Sequence, residues 1–294
     1  MPLAEPKIIF LHIPKTGGMS LRGQFVKNYR GRQHFNTDLV EITEANWQEC
    51  LNRVRHLSPK EMAAMPVFKG HMLFGLHEAI PGPSEYITFL RDPVKRIISH
   101  YRMLQRSGTF PPGHTFDPAK ADWNVGADPY FARMLDNAQT RILSGMSPDA
   151  PFGVCTEEHL SAAIANLDRY FKFTGLMEQF DLSLMLLTHK AGWGWHFYVA
   201  DNVAPPKAEP IASSVQDALR RLNRFDVELY RHAEARFEQL KAQYGLRLKV
   251  EHALFRFGNK IHQQLYFWRR RVKDRLGIQQ RKTTMSVHVP PETR

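Results

Sequence analysis

The strongest constraint on the fold is a glycine turn that joins a predicted strand to a predicted helix. The run KIIFLHI at 7–13 is short and apolar and ends at Pro14, which is typical of a buried strand. Two glycines follow, and residues 17–30 then form a predicted helix. Its apolar positions recur at helical spacing at Leu21, Phe25, Val26 and Tyr29. A strand that leads directly into a helix is the repeating unit of α/β proteins, so the turn predicts a parallel sheet covered by helices on both faces.

The turn also has the composition of an anion-binding loop. Backbone N–H groups at a helix start converge on one point, glycine lets an anion approach them, and lysine adds a charge. The residues concerned are Lys15, Thr16, Gly17, Gly18 and Ser20. The lysine precedes the glycines, unlike the G-x-x-x-x-G-K-[ST] order of nucleotide triphosphatases, and Ser20 lacks the G-x-S-x-G context of hydrolases. We therefore predict a phosphate or sulfate site.

Further patterns extend the α/β prediction along the chain. A second buried strand at 86–90 ends at Arg91, and Asp92 is the predicted cap of a helix that begins at Pro93. The other predicted elements are helices at 128–145, 157–170, 178–192 and 213–243, a strand at 171–176, an irregular segment at 107–130 and a loop at 199–210.

Arg91 and Ser99 form a second candidate anion site. An arginine at a strand end can make two parallel hydrogen bonds to a phosphate, and a serine hydroxyl can add another donor. Ligands of open α/β sheets bind beyond the carboxyl ends of the strands, where Lys15 and Arg91 are both expected. The alternative is a capped helix whose basic residues only face water, namely Lys95, Arg96 and Arg102.

Two segments in combination, HIPKTGGMSL and FLRDPVKRIISHYR, resemble the sulfotransferases that use 3′-phosphoadenosine 5′-phosphosulfate (PAPS). Within that superfamily the chain looks most similar to the uronyl and heparan sulfate 2-O-sulfotransferases and their bacterial relatives. DNAQTRILSG at 136–145 also resembles this branch, and the resemblance covers roughly residues 7–245. It implies a P-loop-like, three-layer α/β fold with a central parallel sheet.

The resemblance also implies how PAPS would be held. The first loop would bind the 5′-phosphosulfate through Lys15, Thr16, Gly17, Gly18, Met19 and Ser20, and the second site would bind the 3′-phosphate through Arg91 and Ser99. Relatives commonly carry threonine at the position of Met19, so one hydroxyl donor is missing while the backbone N–H remains. No metal is expected, since His77-Glu78 lacks the H-E-x-x-H spacing of a zinc site.

His71 is the candidate catalytic base, and Lys15 would stabilise the leaving oxygen. Histidine has a pKa of about 6.5 and is the best-matched base for removing a hydroxyl proton at neutral pH. The 2-O branch has a catalytic histidine after a glycine at this point in the chain, where this sequence reads VFKGHMLFG. A structural histidine on a strand edge is the alternative. Lys69 stands where relatives often have a second histidine, so either it supports catalysis or the acceptor differs.

The formal net charge of +11 is concentrated at the end of the chain. Residues 1–245 hold 28 Lys plus Arg against 26 Asp plus Glu, whereas residues 246–294 hold 12 against 3. We therefore divide the chain into a sulfotransferase domain at 1–245 and a basic helical tail at 246–294. The tail has an apolar helical stripe at Val250, Leu254, Phe257, Ile261, Leu265, Trp268, Val272 and Leu276.

Such a basic amphipathic helix suits either a membrane surface or acidic partner, or packing on the domain with its charges solvated. Residues 277–294 are predicted to be disordered. No nucleic-acid recognition motif accompanies the charge. Since no stretch resembles a signal peptide or a membrane span, a cytoplasmic location is expected, with the tail allowing peripheral membrane contact.

The sequence thus predicts a PAPS-dependent sulfotransferase acting on a hydroxyl, with a glycan or glycolipid as the expected acceptor. Two alternatives stay open: a P-loop-type kinase or nucleotide triphosphatase, and a non-enzymatic membrane- or polyanion-associated binding protein. Gln139 and Arg141 are predicted either to touch nucleotide or acceptor or to solvate their helix. The expected acceptor-facing segments, 31–65 and 107–130, carry no interpretable motif.

Overall fold

A five-stranded parallel sheet forms the centre of the protein, for which a computed structural model was obtained. The described residues are 5–37, 39, 41–107, 133–199 and 211–275, with the backbone of 115–117 and 122–124. The central strands are β1 (Lys7–Leu11), β2 (His34–Asn36), β3 (Val67–Gly70), β4 (Ser84–Leu90) and β7 (Phe171–Leu176), in the spatial order β2-β3-β1-β4-β7.

Helices cover both faces of this sheet. In β1 the consecutive residues Ile8 to Leu11 are all buried, and since neighbouring strand residues point to opposite faces, both faces are covered. The described helices are α1 (Gly18–Asn28), α2 (Glu44–Arg55), α3 (Pro59–Ala64), α4 (Pro93–Ser107), α5 (Ala138–Ser144), α6 (Glu157–Tyr170), α7 (Phe180–Ala191), α8 (Ser213–Leu222) and α9 (Arg224–Arg275). The predicted α/β class with a central parallel sheet is confirmed.

The strand order places a ligand crevice next to β1. β1 pairs in parallel with β3 on one side and β4 on the other, with Ile8 opposite both Val67 and Glu85. The chain runs outward from β1 in both directions, which makes the carboxyl end of β1 the topological switch point of the sheet. The loops after β1, β3 and β4 therefore meet at one edge.

Two predicted helices differ from those in the structure, and one contact explains both. Of the predicted helix 128–145, residues 128–132 lie outside the described residues, and the remainder is interrupted before α5, where Asn137 takes a left-handed backbone (φ 46°). The predicted helix 213–243 is divided into α8 and α9 at Asn223. The Asn137 backbone N–H donates to Oδ1 of Asn223 at 2.8 Å, so the two helix breaks are paired by a hydrogen bond.

Other differences are local. The predicted irregular segment 107–130 contains a short antiparallel pair, β5 (Thr115–Asp117) and β6 (Asp122–Asn124). Residues 200–210 of the predicted loop, and the predicted disorder at 277–294, lie outside the described residues. Asp92 caps α4 as predicted, since its Oδ1 accepts from the Lys95 N–H at 2.8 Å.

The long helix α9 runs across the predicted domain boundary. Its helical geometry is interrupted at Gly245 (φ 54°, ψ −134°), where the predicted tail begins. Beyond this kink Leu248, Phe255 and Asn259 are buried. The helix therefore packs on the domain through these residues, as one of the two predictions for the tail expects, while the predicted apolar stripe from Val250 to Trp268 lies on another face and stays exposed. Within the described part of the chain, no helix combines the length and apolarity that crossing a bilayer demands.

Candidate active site

The loop between β1 and α1 has a strained backbone conformation of the kind that binds anions. Lys15 adopts a left-handed backbone (φ 73°), which is unfavourable for a residue with a side chain, and Gly17 follows at φ 87°. The Thr16 hydroxyl donates to the Ile13 carbonyl at 2.8 Å, so it fastens the turn. Alternating backbone conformations of this kind turn successive N–H groups toward one point.

The two glycines are required for different reasons. A Cβ at Gly18 would lie 1.9 Å from Nε2 of His12, so the close approach of this ring excludes a side chain. A Cβ at Gly17 would lie 2.6 Å from the Met177 sulfur, and the positive φ of Gly17 further disfavours substitution. The glycines are predicted to let an anion approach the backbone. They also leave room for the side chains of His12 and Met177 to pack against the loop.

The first turn of α1 offers backbone donors to a ligand. The helix begins at Gly18 without a side-chain cap and without an acidic residue in its first turn, and its first internal bond is from the Leu21 N–H to the Gly17 carbonyl at 3.3 Å. The N–H groups of Gly18, Met19 and Ser20 therefore have no acceptor within the helix. Ser20 is half-buried. An anion at this position would meet both these donors and the helix dipole.

Arg91 joins the two predicted anchors. Its Nη1 donates to the Lys15 carbonyl at 3.0 Å, which holds the strained residue in place. Its Nε lies 3.8 Å from Oε1 of Glu178, and Oε2 of Glu178 accepts from the Tyr230 hydroxyl at 2.8 Å. Burial lowers the pKa of Arg91, and Glu178 partly offsets this effect. Lys15 and Arg91, 76 positions apart in sequence, are thus one structural unit.

Arg106 adds a third cation to this pair. Burial lowers the pKa of Lys15, and the charges of Arg106 and Arg91 lower it further. Ser99 is half-buried on α4, between Arg91 at the start of that segment and Arg106 in its last turn. Mutual repulsion among cations is relieved when a polyanion binds between them, so this cluster suits a ligand with more than one phosphate or sulfate group.

A buried network supports Arg91 from behind. The side-chain amide of Gln139 accepts from the Arg91 N–H at 3.0 Å and donates to the Arg91 carbonyl at 2.9 Å, as a neighbouring strand would. Gln139 is held in turn by Asp226 of α9, which accepts from the N–H groups of Gln139 and Thr140 at 3.1 and 2.7 Å. Gln139 is completely buried, so the prediction that it solvates its helix is wrong.

Replacing Gln139 with alanine is expected to weaken nucleotide binding indirectly. The Arg91 backbone would lose both partners, at a cost of about 1–3 kcal/mol, and its guanidinium would no longer be held against the loop. We expect the Kd for 3′-phosphoadenosine 5′-phosphate, measured by calorimetry, to rise about tenfold. The matched control is Asn166→Ala, which removes an amide bond to the Leu143 carbonyl remote from Arg91. Equal weakening in both variants would show a general loss of stability instead.

His71 is positioned by the turn after β3. Gly70 has φ 139°, and a Cβ on it would lie 2.2 Å from Oγ1 of Thr37. That same hydroxyl donates to the His71 carbonyl at 2.7 Å. The His71 ring lies 4.7 Å from the ring of His12, which in turn packs beneath Gly18. The candidate base and the glycine loop are therefore separated by one side chain.

His12 acts as a neutral spacer between them. Burial lowers its pKa to about 3, with smaller contributions from His71 and Lys15. It is therefore uncharged at neutral pH and adds no cation to the cluster. His12 is therefore packed, as expected for the buried segment predicted at 7–13.

Lys69 and Arg141 both point into the protein. Lys69 is 6% exposed, with its Nζ 2.6 Å from Nδ1 of His34, and burial lowers its pKa to about 8. Arg141 is buried in an ion pair with Asp136 and donates to the Ala150 carbonyl at 3.0 Å. Neither solvates a helix. Arg96 is also fully buried, so the prediction that it faces water is wrong.

Three residues of the site were missed by the sequence analysis. Glu178 and Thr37 follow the carboxyl ends of β7 and β2, so the rule that ligands bind at those ends could have pointed to both. Arg106 lies at the far end of α4 and carries no sequence signal for its role. Among the described residues, no group of three or more His, Cys, Asp or Glu side chains is arranged to hold a metal ion.

Comparisons with known proteins identify the family of the chain. A family model described as "Sulfotransferase family" matches residues 4–194, well over half of the chain. Heparan-sulfate 6-O-sulfotransferase 2 of Gallus gallus is 27% identical over 286 residues, which cover 79% of this chain and 67% of that protein. Its Danio rerio counterpart is 26% identical, covering 97% and 68%. A solved sulfotransferase from Alicyclobacillus acidocaldarius has 16% identity and a TM-score of 0.41, covering 80% of this chain and 97% of that chain.

These relatives are named as 6-O-sulfotransferases, so the predicted place in the 2-O branch is not confirmed. The match to the family model spans β1 to α7 and includes the glycine loop, His71 and Arg91. It favours neither the kinase nor the non-enzymatic alternative. The chain is an enzyme and belongs to the sulfotransferase family.

Proposed function

We propose that this sulfotransferase moves a sulfuryl group from PAPS to a hydroxyl of a glycan. The single observation that carries the donor assignment is the bond from Arg91 to the Lys15 carbonyl, which unites two predicted anion anchors beside a helix start. The sulfotransferase family implies PAPS as donor, and the relatives' names supply the glycan. In this proposal the carbohydrate acceptor and the donor both bind at the carboxyl edge of the sheet.

The residues present fit the donor. The loop and the first turn of α1 offer N–H groups for a phosphosulfate, and the half-buried Arg91 guanidinium can receive a further phosphate. Ser99, on the helix α4 that follows Arg91, is half-buried and can add a hydroxyl donor. PAPS carries anionic groups at its 5′ and 3′ ends, which matches two anchors held at a fixed separation.

The chemistry assigned to the chain is positioning, charge stabilisation and one proton transfer. The acceptor oxygen forms a bond to sulfur as the bond from sulfur to the phosphate oxygen breaks, and the hydroxyl proton passes to a ring nitrogen of His71. Negative charge grows on the leaving phosphate oxygen, where the Lys15 ammonium opposes it. Because burial keeps His12 uncharged and its pKa low, the proton is assigned to His71, whose ring lies 4.7 Å from that of His12.

Transfer of labelled sulfate from PAPS to candidate glycans tests this function directly. We expect the full chain to sulfate heparan sulfate, and chemically 6-O- or 2-O-desulfated heparins will show which hydroxyl it uses. Adenosine 5′-phosphosulfate, which lacks the 3′-phosphate, is the matched donor control and should be used poorly. Magnesium-dependent ATP turnover without sulfate transfer would contradict the proposal and restore the kinase or triphosphatase alternative.

A further inference from the structure

The last part of α9, residues 246–275, carries a row of large apolar side chains that the protein leaves in solvent. Phe257 is 68% exposed, Trp268 61% and Leu254 61%. The complete row recurs every three or four residues and consists of Leu246, Val250, Leu254, Phe257, Ile261, Leu265 and Trp268. A helical face this long and apolar is unusual on a soluble surface and marks an interaction site.

The opposite face of the same helix is already packed on the protein. Leu248 and Phe255 are buried, and Oδ1 of the buried Asn259 accepts from the Tyr198 N–H at 2.9 Å. A Cβ at Gly258 would lie 2.4 Å from the Phe197 ring, so the helix sits close against that segment. These contacts fix the rotation of the helix, and the exposed row therefore cannot turn inward.

The charge beside the exposed row is strongly positive. Residues 246–275 contain nine Lys or Arg against Glu251 and Asp274, a net charge of +7. Glu251 is already engaged, with Oε2 2.7 Å from Nε2 of His189 and Oε1 accepting from Nε of Arg247 at 2.8 Å. At 100° per residue, the cations that flank the row on one side are Lys249, Arg256, Lys260 and Arg271.

We propose that residues 246–275 dock the protein on the surface of an anionic lipid bilayer. A helix of this length is about 45 Å long at 1.5 Å per residue, and with an apolar row, a tryptophan and a basic flank it suits the interface plane. Each flanking cation adds about fivefold to the affinity for anionic lipid. A second copy of the chain would bring two such basic surfaces together, and their repulsion disfavours self-association.

Flotation with lipid vesicles tests this docking on the full chain. We expect binding to phosphatidylcholine vesicles that contain phosphatidylglycerol, weaker binding as salt is added, and little binding to phosphatidylcholine alone. Phe257→Glu should lower the partition coefficient by at least about tenfold. The matched control is Val154→Glu, which places the same charge at an apolar residue that is 40% exposed and lies outside residues 246–275, and it should change nothing.

A second variant, Lys260→Glu with Arg271→Glu, tests the basic flank and keeps the experiment decisive if Phe257→Glu fails to fold. It should reduce binding to the anionic vesicles without changing the affinity for 3′-phosphoadenosine 5′-phosphate. Absent binding to anionic vesicles, binding that ignores salt and lipid charge, or equal loss in Val154→Glu would each overturn the proposal. So would a dimer, seen by light scattering, that Phe257→Glu dissociates.

Discussion

Replacing His71 with alanine is expected to lower kcat for sulfate transfer by about 10²- to 10⁴-fold, the usual contribution of a general base. The affinity for 3′-phosphoadenosine 5′-phosphate should stay nearly unchanged, because the groups assigned to hold the nucleotide are the glycine loop and Arg91. Sulfate transfer with saturating donor and calorimetry with the product nucleotide measure the two effects separately.

The control for this variant is His56→Ala, which removes an exposed histidine at the end of α2. It should transfer sulfate at the parental rate. His71→Asn adds a further comparison, since it keeps a polar side chain on the same backbone but cannot accept a proton at neutral pH. Substantial kcat in either His71 variant would refute the assignment of His71 as base and leave it a structural residue at the end of β3.

Replacing Arg91 with alanine is expected to raise the Kd for 3′-phosphoadenosine 5′-phosphate by about 10²-fold, since removing one partner of a desolvated arginine–phosphate contact in the complex costs about 2–5 kcal/mol. Two effects add: the 3′-phosphate loses its guanidinium, and the Lys15 carbonyl loses the donor that holds its left-handed backbone. Affinity for 5′-AMP, which has no 3′-phosphate, should fall much less. Parallel calorimetric titrations with the two nucleotides measure the difference.

Lys95→Ala is the matched control, because this exposed lysine lies in the first turn of α4, four positions after Arg91, and contributes only its backbone to the Asp92 cap. Arg91→Lys keeps the charge and should recover part of the affinity but not the two parallel bonds. If the parental protein binds 5′-AMP as tightly as the 3′-phosphorylated nucleotide, the assignment of PAPS as donor fails, whatever Arg91→Ala does.

Local sequence patterns predicted the sheet and its carboxyl edge, because strand and helix signals depend on nearby residues. The turn after β1 and the end of β4 can each be predicted from a few consecutive residues. Contacts between distant segments could not be predicted in this way. The helix break at Asn223 arises from its contact with Asn137, 86 positions earlier. The residues around Asn223 therefore do not predict the break.

The same limit applies to the candidate site. Lys15, His71 and Arg91 could be named from strand ends and from the family resemblance, whereas the supports of Arg91 come from later helices. Gln139 and Glu178 reach Arg91 from 48 and 87 positions away along the chain. Burial of Lys69 against His34 was equally inaccessible, because it depends on the pairing of β2 with β3.

The bond between Arg91 and the Lys15 carbonyl has a consequence for inhibitor discovery. A fragment that binds only to Arg91 will also stiffen the glycine loop, because Arg91 donates to the Lys15 carbonyl. Conversely, a fragment that binds in the loop will hold Arg91 in its binding position. The two half-ligands will therefore bind with positive cooperativity, each appearing weak when screened alone. Screens of paired fragments, followed by a linker that preserves their spacing, suit this enzyme better than optimisation of either half.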